Sequence, residues 1–398
     1  MPKFKKEEYD IRLAKVRKSM AEKNIEVLIV TDPSNMSWLT GYDGWSFYVH
    51  QCVVLTLEGE PLWYGRGMDA NGAKRTVFMQ NENIIGYADD YVQNPRKHPM
   101  DYLSEIFREK GWAEKTIGVE KDNYYFSASC LESLQKNLPE SSFTDATGLV
   151  NWQRTVKSNQ ELEYMRKAAR IVEKMYERIL EVIEPGMRKN DLVAEIYHSG
   201  ITGVEGAGGD YPAIVPVTPT GIDASAPHLT WDDRKIPNNS GTFFEIAGCY
   251  RRYHCPLCRT VYLGEPPKKY LEVEKAVLEG IEAGLDAAKP GNKAEDIDAV
   301  KALQPELDEG TSCDPRLRVV LGVAVALVLV PDVLLISQER VLITGHLEGT
   351  HRRLDDQSEA PARAMAGMVN VPRTQLPWNH ASYGCEDSRG ERAATSTC

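Results

Sequence analysis

The chain lacks an apolar stretch long enough to span a membrane. The longest candidate, residues 319–330, ends after twelve residues at Pro331, short of the roughly 20 that a transmembrane helix needs. It also lacks positive charge overall: 47 Lys and Arg face 58 Asp and Glu, a net −11. Such a chain repels phosphate backbones, which argues against a nucleic-acid partner. Cysteine is sparse and irregularly spaced, eight in 398 residues, so no disulfide framework is expected and the thiols fit a cytoplasmic protein. The basic start (residues 3–6, KFKK) is followed by no apolar core, so no secretory signal is expected. There is no G-x-G-x-x-G or G-K-[ST] loop to cradle phosphate, and no G-x-S-x-G elbow for a serine nucleophile.

A second set of absences is local. The last 98 residues hold one lysine, Lys301, two aromatics, Trp378 and Tyr383, and no phenylalanine, against 22 lysines and 31 aromatics before them. Arginine does not fall in step, with nine in the tail and 15 before it. The break predicts an atypical part over 301–398, read here as a shifted reading frame or a chimeric end. The apolar run at 319–330 is then either a buried strand pair or a sequence not selected to fold.

With 42% hydrophobic and 26% charged residues, the remainder suits two soluble domains of ordinary size. Residues 1–150 read as α/β. A helical period covers 7–23, short strands fall at 26–31 and 116–120, a hairpin at 52–57 and 61–64, and a helix at 103–110. A boundary is expected at 146–157. The stretch Ser158-Asn-Gln-Glu161 has capping-box spacing, and Leu162, Met165, Ala169, Val172, Tyr176, Ile179 and Ile183 then recur at helical steps. Pro185-Gly186 ends that helix and another follows. The arrangement repeats over 270–288, Pro290-Gly291 and 294–300, which suggests an internal duplication over 151–300 and beyond.

The chemically loaded residues lie between the two copies. Glu245 follows an aromatic pair in a strand-like run. In apolar surroundings its charged form is disfavoured, which suits proton transfer or attack on a cationic substrate. A solvent-facing or ion-paired role would place it there equally well. His228, between Pro227 and Leu229, is open to the same choice between a proton shuttle and a hydrogen-bonded structural histidine. Cys255-Pro-Leu-Cys258 beside His254 is a lone C-x-x-C without a second pair at finger spacing, so no metal is assigned to it.

The capped helix, the two Pro-Gly breaks, the Pro-His228 element and the strand 259–264 (RTVYLG) together resemble the creatinase/aminopeptidase P superfamily. The resemblance covers residues 1–300. It implies an α/β N-terminal domain plus an α+β pita-bread catalytic domain with internal pseudo-symmetry, followed by the atypical C-terminal part. Six runs are similar to the ectoine-hydrolysing members of that superfamily: 32–48 (DPSNMSWLTGYDGWSFY), 91–95 (YVQNP), 122–126 (DNYYF), 209–216 (GDYPAIVP), 226–233 (APHLTWDD) and 242–248 (TFFEIAG). The resemblance implies a hydrolase that opens a carboxylate-bearing cyclic amidine, ectoine, to an N-acetylated diaminobutyrate. Glu245 would attack the amidine carbon or activate water, and His228 would move the proton.

Metallopeptidases of this superfamily place an Asp at the position of Glu245 and a second metal-binding Asp eleven residues on. Pro256 occupies that second place and cannot ligate, so the resemblance implies the metal-free branch, with no cofactor. It further implies a homodimer whose loop 44–48 covers the neighbouring pocket. Trp45 or Phe47 would then stack on the amidinium, with Tyr211 and His254 also at the substrate. Trp45 and Phe47 could equally be ordinary aromatic packing under a loop. The acidic residues that the superfamily carries in its second half have no match after residue 300. The alternatives are a creatinase-like metal-independent amidinohydrolase, an Xaa-Pro peptidase-like protein, or an inactive binding paralogue.

Overall fold

A computed structural model describes residues 3–226, 228–293, 295 and 369–371. Helix α1 (Lys6–Glu22) buries Tyr9, Leu13, Val16 and Met20, the stripe its spacing predicts, and leads into β1 (Val27–Val30), buried throughout. Asp32-Pro33-Ser34 does more than end that strand; it starts α2 (Pro33–Thr40). The Asp32 carboxylate accepts from the Asn35 N–H at 2.8 Å, and Pro33 takes the first helical position, where its missing N–H costs nothing.

The expected hairpin is β2 (Cys52–Thr56) and β3 (Leu62–Arg66), antiparallel with Cys52 opposite Tyr64. The chain continues through α3 (Ala70–Thr76), β4 (Ile84–Tyr87), α4 (Pro99–Glu109), β5 (Thr116–Val119), α5 (Ala128–Asn137), β6 (Ser142–Asp145) and α6 (Leu149–Gln153). The strands form one mixed sheet in the order β4-β3-β2-β1-β5-β6. Alternate residues go to opposite faces. Val30, Val53, Leu55 and Trp63 pack under α1, α2, α3 and α6. Ile29, Val54, Tyr64 and Val119 pack under α4 and α5. Both faces are covered, which fits an α/β layer.

The second unit opens with α7 (Asn159–Val182), and the capping box forms as its spacing predicts. Ser158 Oγ accepts from the Glu161 N–H at 3.3 Å, while Glu161 Oε2 accepts from the Ser158 N–H at 2.7 Å. The buried stripe is broader than the sequence period suggested, adding Tyr164, Ala168, Ile171 and Met175 and leaving Leu162 and Ala169 at its margin. Helix α8 (Lys189–Thr202) follows the Pro185-Gly186 break. A long connection then leads to a ribbon of β7 (Ser240–Tyr250) and β8 (Tyr253–Leu263), paired along its whole length. Helix α7 lies across one face of this ribbon. A Cβ on Gly248 would come within 2.2 Å of the Ala168 carbonyl oxygen, so only glycine permits the close crossing.

Helix α9 (Lys268–Ala287) is followed by Pro290-Gly291, and Gly186 and Gly291 share a left-handed backbone, φ 91° and 95°. The helix, Pro-Gly repetition is therefore present as far as the described chain reaches. Of the further helix expected at 294–300 only residue 295 is described, and the composition break and the apolar run at 319–330 lie outside the described residues. One short strand from the tail is described, β9 (Val369–Val371), running parallel to β8 with Val261 opposite Val369. Among the described residues no helix is long and apolar enough to cross a membrane.

Candidate active site

Strand alternation sorts the ribbon into two faces. Phe244 and Ile246, with Cys255, Leu257 and Val261, go under α7. Glu245 pairs with Cys258 and Ala247 with Pro256, and these point to the opposite side. Cys255 and Cys258 thus sit on opposite faces, so the C-x-x-C spacing cannot converge on one ion. Segment 217–220 runs along the free edge of β7. Val217 and Glu245 exchange both backbone hydrogen bonds at 3.0 Å, and Thr220 bridges to Thr242.

Glu245 is half-buried. Burial pushes its carboxyl above the usual range, and the charge of His228 pulls the other way. The charge of His228 is thus felt at Glu245. Cys258, across the strand, has its thiol pushed up by burial and then by Glu245, so it stays protonated. His228 itself is exposed, on the loop after a short 3₁₀ turn (Gly221–Ser225). It is no core histidine.

Trp45, Phe47, Tyr211 and His254 line one cleft of about 870 Å³, together with Arg252 and Pro256. Glu245 and His228 are not among its lining residues. The Ala247–Pro256 pair leads from the cleft to the Glu245–Cys258 pair, two residues along the same face. Trp45 is 64% exposed and meets Phe47 edge-on at 5.2 Å, while Phe47 meets Tyr125 at 6.1 Å. Tyr211 lies under the Arg252 guanidinium, 3.7 Å from ring centroid to cation, a favourable cation–π distance.

His254 differs from the sequence expectation. Its Nε2 accepts from the Ala213 N–H at 2.9 Å and its Nδ1 faces the Arg252 carbonyl at 3.1 Å. That pairing assigns the ring proton to Nδ1, and burial lowers the imidazole pKa. Both nitrogens are occupied, so His254 fastens segment 211–213 to the hairpin and has no free nitrogen for substrate.

Several contributors were not singled out by the sequence. The hairpin tip is Arg251-Arg252, with both residues at positive φ, 52° and 70°, where a two-residue turn ordinarily takes Asn or Gly. Arg252 Nε donates to Asp43 Oδ1 at 2.7 Å across the two sheet units. Burial works against the Asp43 carboxylate, but Lys3 and Arg252 outweigh it and hold its pKa low. Beside them Glu161, 2% exposed, accepts from Trp38 Nε1 at 2.9 Å and from the Tyr253 hydroxyl at 2.8 Å. The residue that caps α7 also joins the two units. The Arg-Arg tip at a position favouring Asn-Gly was the one available signal.

A dinuclear metal centre of the metallopeptidase kind does not fit these residues. Position 256, eleven after Glu245, is a proline without a donor atom, and its partner is Ala247. Elsewhere among the described residues, donor atoms of His50, His98 and Cys130 lie within 4.8 Å of one another. There the His98 Nδ1 accepts from the Met100 N–H at 3.1 Å, which puts the ring proton on Nε2 and leaves that ring no lone pair for an ion.

Two family models match in the order of the two sheet units: the creatinase/prolidase N-terminal domain over residues 12–156 and metallopeptidase family M24 over residues 163–317. A Halomonas elongata protein named ectoine hydrolase is 61% identical over 300 residues, 74% of this chain and 75% of that one. An uncharacterised hydrolase/peptidase of Sinorhizobium fredii is 41% identical over 296 residues, 74% of this chain and 76% of its own. Among solved structures, a prolidase from Thermococcus sibiricus superposes with TM-score 0.63 at 20% identity, covering 73% of this chain and 76% of that one. A dipeptidase from Pyrococcus horikoshii gives 0.60 at 23% identity over the same shares. The prolidase likeness places the α+β unit in the pita-bread fold. The chain belongs to the M24 metallopeptidase family, in its two-domain form with a creatinase/prolidase N-terminal domain.

Proposed function

We propose that the chain hydrolyses ectoine to an N-acetylated 2,4-diaminobutyrate without a catalytic metal. The observation that carries this reading is the 61% identity to the Halomonas protein named ectoine hydrolase. The chemistry of the site agrees with it. An amidinium carbon is already electrophilic, so a carboxylate can act where a peptidase would need a metal. Glu245, half-buried with its pKa raised by burial, either takes a proton from water or bonds directly to that carbon. The new C–O bond forms, the ring C–N bond breaks, and His228 delivers a proton to the departing nitrogen.

Trp45 and Phe47 supply aromatic faces for the amidinium of the neighbouring subunit, while Tyr211, held by Arg252, lines the cleft of its own chain. The protein works as a cytoplasmic homodimer in which loop 44–48 faces the neighbouring pocket. Residues 1–150 form the covering domain and 151–300 the first part of the catalytic one. The atypical end, read over 301–398 from composition, is a shifted reading frame or a chimera that begins near or after residue 300, the M24 match running to residue 317. Sequencing the coding DNA around codon 300 tests that last point, and an intact frame overturns it.

The test of function is purified protein incubated with ectoine, creatine and an Xaa-Pro dipeptide, with and without chelator. Turnover of ectoine alone, unaffected by chelation, is the expected result. Loss of activity on chelation overturns the metal-free mechanism. Turnover of the dipeptide in place of ectoine favours the peptidase reading, and no turnover of any favours a binding protein. In ¹⁸O-water, label entering Glu245 supports the covalent route.

A further inference from the structure

Lys189 stands where a lysine is doubly disfavoured. It is the first residue of α8, at the positive end of the helix dipole, and it is 5% exposed, so its charge has lost most of its water. Two carboxylates offset this. Lys189 Nζ lies 2.9 Å from Asp232 Oδ1 and 3.5 Å from Asp223 Oδ2. Arg234 pairs with both carboxylates from the solvent side.

The two aspartates bracket His228, five residues before it and four after. Backbone bonds sew the same helix start to the far end of the loop. The Lys189 N–H donates to the Arg234 carbonyl at 3.0 Å, and the Ile236 N–H to the Met187 carbonyl at 2.8 Å. By contrast, among the described residues between the brackets the one long-range hydrogen bond is Thr218 Oγ1 to the Thr230 carbonyl at 3.3 Å. The His228 ring is exposed, so packing does not fix it.

We infer that Lys189 is the positioning residue of the active site, the buried cation that pulls Asp223 and Asp232 together and thereby sets where His228 stands relative to Glu245. This rests on the proposed role of His228, and it adds a residue that never touches substrate. Its physical basis is that a neutral side chain at 189 leaves two aspartates to repel each other, with only the exposed Arg234 between them. The loop then widens and His228 drifts, and a displacement of about 1 Å can cost on the order of a hundredfold in rate.

The experiment uses the full chain and three variants, Lys189→Met, Lys189→Arg and the double variant Asp223→Asn/Asp232→Asn. Two readouts are taken: ectoine kinetics, and hydrogen exchange of the amides of residues 224–226 and 228–231. Lys189→Met and the double variant are expected to lower kcat about tenfold to a hundredfold with KM within about twofold, and to speed exchange across the loop. Lys189→Arg is expected to restore most of both. Unchanged exchange and kcat in Lys189→Met overturn the inference, as does an equal loss in Lys189→Arg, which would mark a packing defect. If the wild-type protein turns over no ectoine, the functional reading fails separately. The exchange data then still decide whether Lys189 holds the loop.

Discussion

Arg252 and Asp43 meet at 2.7 Å, joining the tip of the β7–β8 hairpin to the loop that carries Trp45 and Phe47. The same guanidinium covers the Tyr211 ring, so one side chain ties three walls of the cleft together. Both groups are partly buried, and a charge-assisted bond there is stronger than an exposed pair. Arg252→Ala is therefore expected to raise KM for ectoine about tenfold, which corresponds to about 1.4 kcal/mol, with a smaller effect on kcat. Steady-state kinetics check this; a KM unchanged from wild type would remove Arg252 from the substrate cleft.

Glu245 should reveal itself by opposite effects on stability and rate. A carboxyl whose folded pKa is raised binds a proton more readily in the folded state than in the unfolded one. Its cost to stability is absent below the unfolded pKa and fully present above the folded pKa. Glu245→Gln removes that cost, so its melting temperature should exceed the wild type's at neutral pH, and the difference should vanish in acid. Activity should fall by about 10²–10⁴-fold. A variant less stable than wild type at neutral pH would contradict this.

The pH–rate profile follows from the same shift. As base or nucleophile Glu245 must be ionised, so activity is lost as pH falls through its raised pKa. The acid limb of kcat/KM should lie above the roughly 4.3 of an ordinary glutamate.

His228 is exposed, so its removal leaves room for a small molecule. His228→Ala is expected to lower kcat about 10²-fold or more, with little change in melting temperature, and added imidazole should restore part of the rate. A rate that imidazole leaves unchanged would argue against proton transfer by this residue.

Gly248 tests the crossing of α7 over the ribbon. Its added Cβ would face a backbone oxygen at 2.2 Å, which no side-chain rotation can relieve. Gly248→Ala is expected to destabilise by about 3 kcal/mol, measured by denaturant unfolding.

Local order was written in the sequence. The capping box at Ser158 and Glu161, the hairpin at 52–66, the two Pro-Gly breaks and the amphipathic period of α7 each depend on residues within a few positions of one another, and each formed where its pattern lies. The family runs likewise carried Glu245 and the absence of a ligand at Pro256, because both are questions of which atom sits at which place in the chain. Those signals weakened wherever the partner was distant. Asp32 read as a strand end, because its capping of α2 looks the same as a turn. Nothing near Glu161 says that it also meets Trp38 and Tyr253. His254 stands apart from its expected place at the substrate, because its spacing cannot reveal that Ala213 and Arg252 occupy both its nitrogens. Lys189, Asp223 and Asp232 are scattered over 44 positions, and only folding makes them one cluster. Sequence order determines what depends on neighbouring residues. Charge compensation in a buried place depends on who else is buried there, and that was decided by the tertiary structure alone.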